Sequence, residues 1–246
     1  MSNLSIMYSS GLDSFIMHQY ARAKGYDPVC IYLDLGHPYA EKEKASMLRE
    51  SPWQPKVEVL DMRTLYSLIQ SRLSNQIIPG RNLLLATVGA MFSGRVWLGA
   101  LDGEQLGKEH DKSPKFFNDA TALLTYTNEF FTPETIVEAP FANMSKSETI
   151  RWALDIGVPL YELFATSTCY SGEEHKCGKC LSCVKRYMAF LANDIEEPGY
   201  EANPLDAPYF HELRVQIPEA ERNKDYSRFT PKRIREFNDV MQRITS

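Results

Sequence analysis

A strand, a tight polar turn and the start of a helix follow one another within residues 4–14, which read LSIMYSSGLDS. Residues 4–8 have β character, residues 9–14 are mostly small or polar, and apolar residues then recur at helical spacing from Phe15 to Tyr20. The start of a helix offers unpaired backbone N–H groups and the positive end of its dipole, so small hydroxyl residues with one glycine let an anion approach the main chain. The turn therefore predicts a phosphate-binding loop, although the same residues also suit a helix N-cap without a ligand.

The rest of the chain continues to alternate strands with helices. Apolar runs predict further strands at residues 28–35, 57–60, 95–101 and 136–139. Helical spacing predicts helices at residues 40–49, 63–73, 83–93, 116–127 and 145–156. Strands separated by helices, without obvious hairpin turns, predict an α/β fold with a doubly wound, mostly parallel sheet of five strands. Ligands bind at the carboxyl ends of the strands in such sheets, where we expect residues 9–14, Asp34, the loop 102–115 and the segment after Ala139.

The helix at residues 145–156 begins with a clear signal. Ser145 stands three residues before Glu148, which predicts a capping box, and Gly157 with Pro159 ends the helix. Lys146 in the first turn is not explained by capping, because a cation opposes the positive end of the helix dipole. Lys146 is therefore either solvated or faces a bound phosphate.

Four cysteines lie close together in the chain, at Cys169, Cys177, Cys180 and Cys183. Their Cys-x7-Cys-x2-Cys-x2-Cys spacing predicts a zinc ion held by four thiolates, and a closed set of four protein ligands predicts a structural role. An iron–sulfur cluster is the main alternative, and His175 could replace one cysteine. Nearby cations would offset the negative charge of the thiolates; they are Lys176, Lys179, Lys185 and Arg186.

Composition narrows the class of protein. With 246 residues, 43% apolar and 24% charged, the chain resembles an ordinary globular protein rather than a disordered one. No run approaches about 18 apolar residues and the start lacks a signal-peptide pattern, so we expect a cytoplasmic protein without a membrane contact. A formal net charge of −5 disfavours broad binding to duplex nucleic acid and favours a small-molecule substrate.

The phosphate-loop pattern has neither Walker A nor dinucleotide-binding spacing, but SSGLDS resembles the Ser-Gly-Gly-x-Asp-Ser loop of the N-type ATP pyrophosphatases. Together with the four cysteines, it resembles the QueC-like family of 7-cyano-7-deazaguanine synthases. The stretches that carry this resemblance are SSGLDS at 9–14, GRNLLLAT at 80–87, APFANMSKSET at 139–149, IGVPLYELFATSTCY at 156–170 and CGKCLSCVKR at 177–186. The resemblance implies an adenine nucleotide alpha hydrolase-like fold.

The resemblance also implies a reaction. The family converts 7-carboxy-7-deazaguanine to its nitrile with ATP and ammonia, through an amide. A carboxylate is a poor electrophile, so its oxygen attacks the α-phosphate of ATP and gives an acyl adenylate with a good leaving group. The family further implies ATP as substrate, magnesium, one structural zinc per chain and a homodimer.

Roles for individual residues follow from the resemblance. Asp13, Lys146 and Arg81 are candidate catalytic residues: Asp13 would fix the loop or a magnesium ion, and Lys146 would neutralise phosphate charge. ATP would contact Ser9, Ser10, Gly11, Leu12, Asp13, Ser14 and Asn82. Asp102 and Asp111 are candidates for the substrate, since a carboxylate accepts two N–H bonds from a guanine-like edge. For Arg81 and Asp111, the alternative is simple surface charge.

The chain departs from the family pattern at three places. Ser10 replaces a glycine, the Gln-Arg-His usual after the second strand is absent from DLGHPY at 34–39, and Ser167 replaces a tryptophan. We also expect two parts, a pyrophosphatase domain at 1–192 with a zinc subregion at 166–187, and an extension at 193–246. The extension could be a lid, a dimer arm or a contact for a macromolecular acceptor.

Three other functions stay open: the extension suits an alternative acceptor, Ser10 would mark a decayed loop in a scaffold, and the ATP loop is shared with sulfurtransferases. The chain could couple a deazapurine carboxylate to an amine on a protein or another molecule, as in a modification or defence system. It could be a non-catalytic, zinc-stabilised nucleotide-binding scaffold. A tRNA sulfurtransferase with the same ATP loop is disfavoured by the acidic balance and by the absence of a spare cysteine beyond Cys30.

Overall fold

The structure of the protein is a computed structural model that describes residues 4–73, 78–104, 110–130, 134–171 and 175–245. Residues 105–109 of the predicted loop and 172–174 of the cysteine segment lie outside the described residues. The strands are β1 (Ser5–Met7), β2 (Val29–Asp34), β3 (Val57–Asp61), β4 (Arg95–Trp97) and β5 (Ile136–Glu138). They form a five-stranded, all-parallel sheet in the order β3-β2-β1-β4-β5. The predicted α/β fold class is confirmed.

The helices cover both faces of this sheet. Those in the first part of the chain are α1 (Leu12–Ala23), α2 (Ala40–Met47), α3 (Arg63–Ile69), α4 (Arg81–Phe92), α5 (Pro114–Thr127) and α6 (Lys146–Asp155). They are followed by α7 (Leu160–Phe164), α8 (Leu181–Leu191), α9 (Pro208–Asn223) and α10 (Pro231–Thr245). Short 3₁₀ turns occur at Gln70–Arg72, His110–Lys112 and Pro204–Asp206. The capping box predicted from Ser145 and Glu148 is present at the start of α6.

Strand alternation divides the core into two layers. In β1, Ile6 is fully buried with Phe15 of α1 and Ile150 of α6 on one face of the sheet. The next residue, Met7, points to the other face and packs in the cluster that contains Ala86 of α4. Both faces of the sheet are therefore buried, which explains why the sequence of β2 is almost continuously apolar. The sheet order reverses between β1 and β4, and a crevice at this position is the usual ligand site of open α/β sheets.

The C-terminal segment packs on α8 through a third apolar cluster. Phe210 and Ile217 of α9 and Phe237 and Val240 of α10 are buried there together with Met188 of α8. This segment therefore has its own core contacts with α8. Within the described part of the chain, no helix combines the length and the apolar character needed to cross a membrane.

Candidate active site

The turn between β1 and α1 is held by its own hydroxyl groups. The backbone N–H of Ser9 donates to Ser14 Oγ at 3.2 Å, and Ser14 Oγ donates to the carbonyl of Gly11 at 3.0 Å. Ser10 adopts a left-handed conformation with φ 53°, where the related loop carries a glycine. Its side chain points away from the turn, donating to the carbonyl of Glu43 at 2.9 Å. As at any helix start, the first backbone N–H groups of α1 have no carbonyl partner within the helix, and an anion can accept hydrogen bonds from them.

The start of α6 lies next to this turn. Lys146 forms an ion pair with Asp13, the second residue of α1. The two helix starts, one from residue 12 and one from residue 146, therefore meet at the carboxyl edge of the sheet. Of the two alternatives for Lys146, the structure places it in the cleft and not in bulk solvent, since only 18% of its side chain is exposed.

A cavity of about 670 Å³ opens at this edge. Such a volume lies in the range of small-molecule sites. Eight of the predicted site residues line it: Ser9, Gly11, Leu12, Asp13, Ser14, Arg81, Asn82 and Lys146. Three do not. The side chain of Ser10 is turned toward α2, and the carboxylate of Asp102 accepts a hydrogen bond from Thr230. The backbone carbonyl of Asp111 accepts a hydrogen bond from Asn82 Nδ2 at 3.1 Å.

Positive charge dominates the cavity, although the whole chain is acidic. Its lining contains the cations Arg81, Lys112, Lys146, Lys185, Arg228 and Arg233 and the carboxylates Asp13, Glu43 and Glu104. Lys146 pairs with Asp13, and Lys112 Nζ lies 3.5 Å from Glu104. The other four cations have no carboxylate partner among the described residues. Burial and the nearby Arg233 lower the pKa of Lys185 to about 8. This excess of cations suits an anionic ligand.

One end of the cavity is aromatic and carries a buried carboxyl group. His37 stacks on Tyr39 with ring centroids 5.0 Å apart, and Tyr39 lies 5.2 Å from Tyr170. Glu43 of α2 accepts a hydrogen bond from Tyr32 Oη at 2.8 Å. Burial raises the pKa of Glu43 from 4.5 to about 7, against the hydrogen bond from Tyr32 and the charge of Arg81. This end suits a planar heterocycle with hydrogen-bond donors.

The ring nitrogens of His37 are both buried and have no hydrogen-bond partner among the described residues. Burial and then the charge of Arg81 lower the pKa of His37, so the neutral ring is favoured. A buried, unsatisfied polar atom is costly. A ligand with complementary polar groups would remove that cost.

Several cavity-lining residues were not predicted from the sequence as site residues, among them Glu43, Lys185, Arg228 and Arg233. Glu43 follows the end of β2 in a helix that reads as uniformly charged. The one sequence signal for a site role of Glu43 was its position after the carboxyl end of β2, where ligands bind in such sheets. Nothing local in the sequence marks Arg228 or Arg233, because they reach the cavity only through the packing of the C-terminal segment.

The four cysteines form a compact cluster. The sulfur atoms of Cys169, Cys177, Cys180 and Cys183 all lie within 4.8 Å of one another. Tetrahedral zinc with sulfur ligands at about 2.3 Å requires sulfur atoms separated by about 3.8 Å. The donor set therefore fits a metal ion, consistent with zinc. Among the described residues, His175 does not join this cluster.

Arg186, three residues after Cys183, forms a buried ion pair with a carboxylate. Its guanidinium is fully buried and donates to Glu197 through Nη2 at 2.6 Å and Nε at 2.9 Å, and also to Thr166 Oγ1 at 2.7 Å. Lys176 pairs with the same carboxylate at 2.7 Å. These two cations therefore connect the cysteine region to Glu197, and their offset of thiolate charge stays a prediction.

Comparison with known proteins gives a consistent result. The model of a family described as "Queuosine biosynthesis protein QueC" matches residues 4–194. A 7-cyano-7-deazaguanine synthase from Marinobacter nauticus is 28% identical over 220 residues, 80% of this chain and 96% of that protein. One from Archaeoglobus fulgidus is 28% identical over 216 residues, 78% of this chain and 87% of that protein. A solved NMN synthetase from Francisella tularensis covers 98% of this chain and 84% of its own at 11% identity, but its TM-score of 0.38 carries no argument.

Proposed function

The chain belongs to the QueC family, and on that premise we propose that it is an ATP-dependent carbon–nitrogen ligase that makes 7-cyano-7-deazaguanine from 7-carboxy-7-deazaguanine and ammonia. One observation carries the proposal. The polar turn, the Asp13–Lys146 pair and Arg81 line a single cationic cavity at the reversal point of the sheet. That arrangement suits a nucleotide triphosphate beside a carboxylate substrate.

The first half-reaction is adenylation. A substrate carboxylate oxygen attacks the α-phosphorus of ATP, the bond to the β-phosphate bridge breaks, and pyrophosphate leaves. Backbone N–H groups at residues 11–14 with the hydroxyls of Ser9 and Ser14 would hold that pyrophosphate. Lys146 would exchange its contact with Asp13 for a phosphate oxygen, which frees Asp13 to hold a magnesium ion that neutralises phosphate charge.

The second half-reaction forms the carbon–nitrogen bond. Ammonia attacks the acyl carbon, AMP leaves with the former carboxylate oxygen, and a proton lost to solvent gives the amide. The amide oxygen then attacks a second ATP. Loss of the second AMP and of the nitrogen-bound protons leaves the nitrile. Arg81 has no carboxylate partner among the described residues, so its guanidinium is available to orient the substrate carboxylate or the acyl phosphate.

Glu43 is the better candidate for the guanine-like edge of the substrate. The resemblance pointed to Asp111 and Asp102, but neither lines the cavity, whereas Glu43 does. Its carboxyl has acceptor capacity beyond the hydrogen bond from Tyr32, and Tyr39 offers an aromatic face. We therefore propose that the heterocycle lies against Tyr39 with its N–H edge on Glu43, and that Asp111 acts by positioning Asn82.

The direct test uses zinc-loaded protein with ATP, magnesium, ammonium and 7-carboxy-7-deazaguanine. AMP and pyrophosphate release are followed together with the product mass. We expect the nitrile and two AMP for each product molecule. The matched control omits ammonium. Without ammonia to attack the acyl adenylate, we expect no repeated release of AMP. Absence of any substrate-dependent AMP would contradict the proposal.

A second function has a specific observation in its favour. Residues 195–246 lie beyond the family match, yet Arg228 and Phe229 line the cavity. An amine carried by a protein or another molecule could contact that segment and replace ammonia. AMP release that needs 7-carboxy-7-deazaguanine but yields no nitrile would favour this function. Tight ATP binding with no AMP under any condition would instead indicate a nucleotide-binding scaffold.

The organisation of the chain completes the proposal. We propose a catalytic unit at residues 1–192 with its zinc subregion at 166–187, an extension at 193–246, and a homodimer that works in the cytoplasm. Its support is the family resemblance. Light scattering of the zinc-loaded protein tests the dimer, and a mass of one chain would contradict it.

A further inference from the structure

We propose that the C-terminal extension is part of the ATP site, where Arg233 acts with Lys185 to bind the β- and γ-phosphates that leave as pyrophosphate. This inference rests on the proposed use of ATP. It assigns an active-site role to a segment that lies beyond the family match, which ends at residue 194.

The start of α10 is fixed at the end of β4. Thr230 Oγ1 donates to the carboxylate of Asp102 and accepts from the backbone N–H of Arg233 at 3.2 Å. The stem of Arg233 passes directly over Gly103, since a Cβ placed on Gly103 would lie 3.1 Å from Arg233 Cδ. Gly103 itself lines the cavity. The guanidinium of Arg233 is thereby held at the carboxyl edge of the sheet.

The next turn of α10 is fixed on the first turn of α6. Glu236 accepts a hydrogen bond from the backbone N–H of Ser147 at 2.9 Å, which satisfies one of the unpaired donors at that helix start. Lys232 donates to Glu148 at 2.7 Å, the same glutamate that completes the capping box. Ser147 adjoins Lys146, so α10 holds the helix start that carries the proposed phosphate-binding lysine.

Arg233 lies one turn before Glu236 on α10, so both occupy the same face of that helix. Its guanidinium has a neutral partner, Tyr209 Oη at 3.3 Å, and no carboxylate among the described residues. Lys185 approaches from α8 and also lacks a carboxylate there. Cations from α6, α8 and α10 thus line one cavity, and of these three, within the described part of the chain, Lys146 alone forms an ion pair, with Asp13.

A polyphosphate is the anion that best suits this arrangement. Three cations on three elements match a ligand with several charged oxygens, and arginine binds phosphate through two parallel N–H bonds. Ser9 and residues 11–14 of the turn line the same cavity, and the helix start at this turn supplies backbone donors. The β- and γ-phosphates would lie between the turn and Arg233.

The test measures binding of inorganic pyrophosphate and of ATP to zinc-loaded, full-length protein by titration calorimetry. Loss of one charge-assisted hydrogen-bonding group corresponds to a factor of about ten or more in affinity. We therefore expect R233A and K185A each to weaken pyrophosphate binding by about tenfold or more, with R233K intermediate. The matched control is R235A, because Arg235 is exposed on the same helix and does not line the cavity.

The outcomes separate this inference from the proposed function. If the unsubstituted protein binds neither ATP nor pyrophosphate, the proposed function fails. If it binds both and R233A binds them equally well, or R235A weakens binding as much as R233A, the inference is wrong. Should R233A fail to fold, R233Q replaces it, and the thermal unfolding midpoint without ligand shows whether α10 remains docked. The binding measurements need no deazapurine substrate, so they do not depend on the identity of the substrate.

Discussion

Replacement of Glu43 by glutamine tests the electrostatics of the cavity through stability. Burial raises the pKa of this carboxyl from 4.5 to about 7 in the folded protein. The folded state therefore keeps a proton that the unfolded state loses, so stability falls as pH rises from about 4.5 and levels off above about 7. Each pKa unit is worth about 1.4 kcal/mol, which gives about 3 kcal/mol as an upper figure because Glu43 keeps some solvent contact.

Glutamine mimics the protonated carboxyl and can still accept from Tyr32. We expect E43Q and the unsubstituted protein to have similar free energies of unfolding at pH 4.5, and E43Q to be more stable by about 1 to 3 kcal/mol at pH 8.5. The assay is urea unfolding at both pH values with free zinc held constant, and the quantity compared is the difference between variants.

The matched control is E41Q on the same helix, whose carboxylate is 82% exposed and pairs with Lys44 at the surface. Its stability difference should stay below about 1 kcal/mol at both pH values. A stability difference between E43Q and the unsubstituted protein that is the same at pH 4.5 and 8.5 would show that burial does not raise the pKa of Glu43.

Two further predictions concern the zinc region. Gly178→Ala should cost several kcal/mol of unfolding free energy and speed zinc release to a chromogenic chelator, because Gly178 has φ +72° and a Cβ there would lie 1.8 Å from the carbonyl oxygen of Ala202. Gly157 has φ +88°, and a Cβ placed on it would have no atom of another part of the chain within 4 Å, so Gly157→Ala should cost only about 1 kcal/mol of unfolding free energy. Equal losses of stability for Gly178→Ala and Gly157→Ala would contradict the steric explanation. Glu197→Gln should cost about 3 to 5 kcal/mol in urea unfolding, because it leaves the buried Arg186 without its carboxylate; a loss below about 1 kcal/mol would contradict it.

Much of the fold could be predicted from periodicity. Apolar runs located the strands, and the capping box of Ser145 and Glu148 located the start of α6, because both signals are local in sequence. The predicted fourth strand extended to residue 101, whereas β4 ends at Trp97. Leu98 still donates a backbone hydrogen bond to the carbonyl of Glu138 in β5 at 2.9 Å, and Ala100 and Leu101 are buried beyond the strand. Apolar content alone therefore does not reveal where the strand ends.

The site could be predicted only in part. The four cysteines have local spacing, and the structure brings their sulfur atoms together as predicted. The predicted turn also has local spacing, and its residues line the cavity except Ser10, while their role in binding phosphate stays a prediction. Glu43 was not predicted because α2 contains several charged residues and Glu43 is its one residue in the cavity lining. The spacing of charged residues in such a helix does not show which of them faces a ligand. Arg233 was missed because its position depends on the contact between Thr230 and Asp102, which are far apart in the sequence.

Adenylation of the substrate carboxylate is tested by following its oxygen atoms. The protein is incubated with ATP, magnesium, ammonium and 7-carboxy-7-deazaguanine labelled with oxygen-18 in both carboxylate positions, and AMP is analysed by mass spectrometry. Adenylation at the α-phosphate predicts AMP carrying the label, in both rounds of the reaction. Unlabelled AMP, or label found in inorganic phosphate together with ADP, would contradict the account.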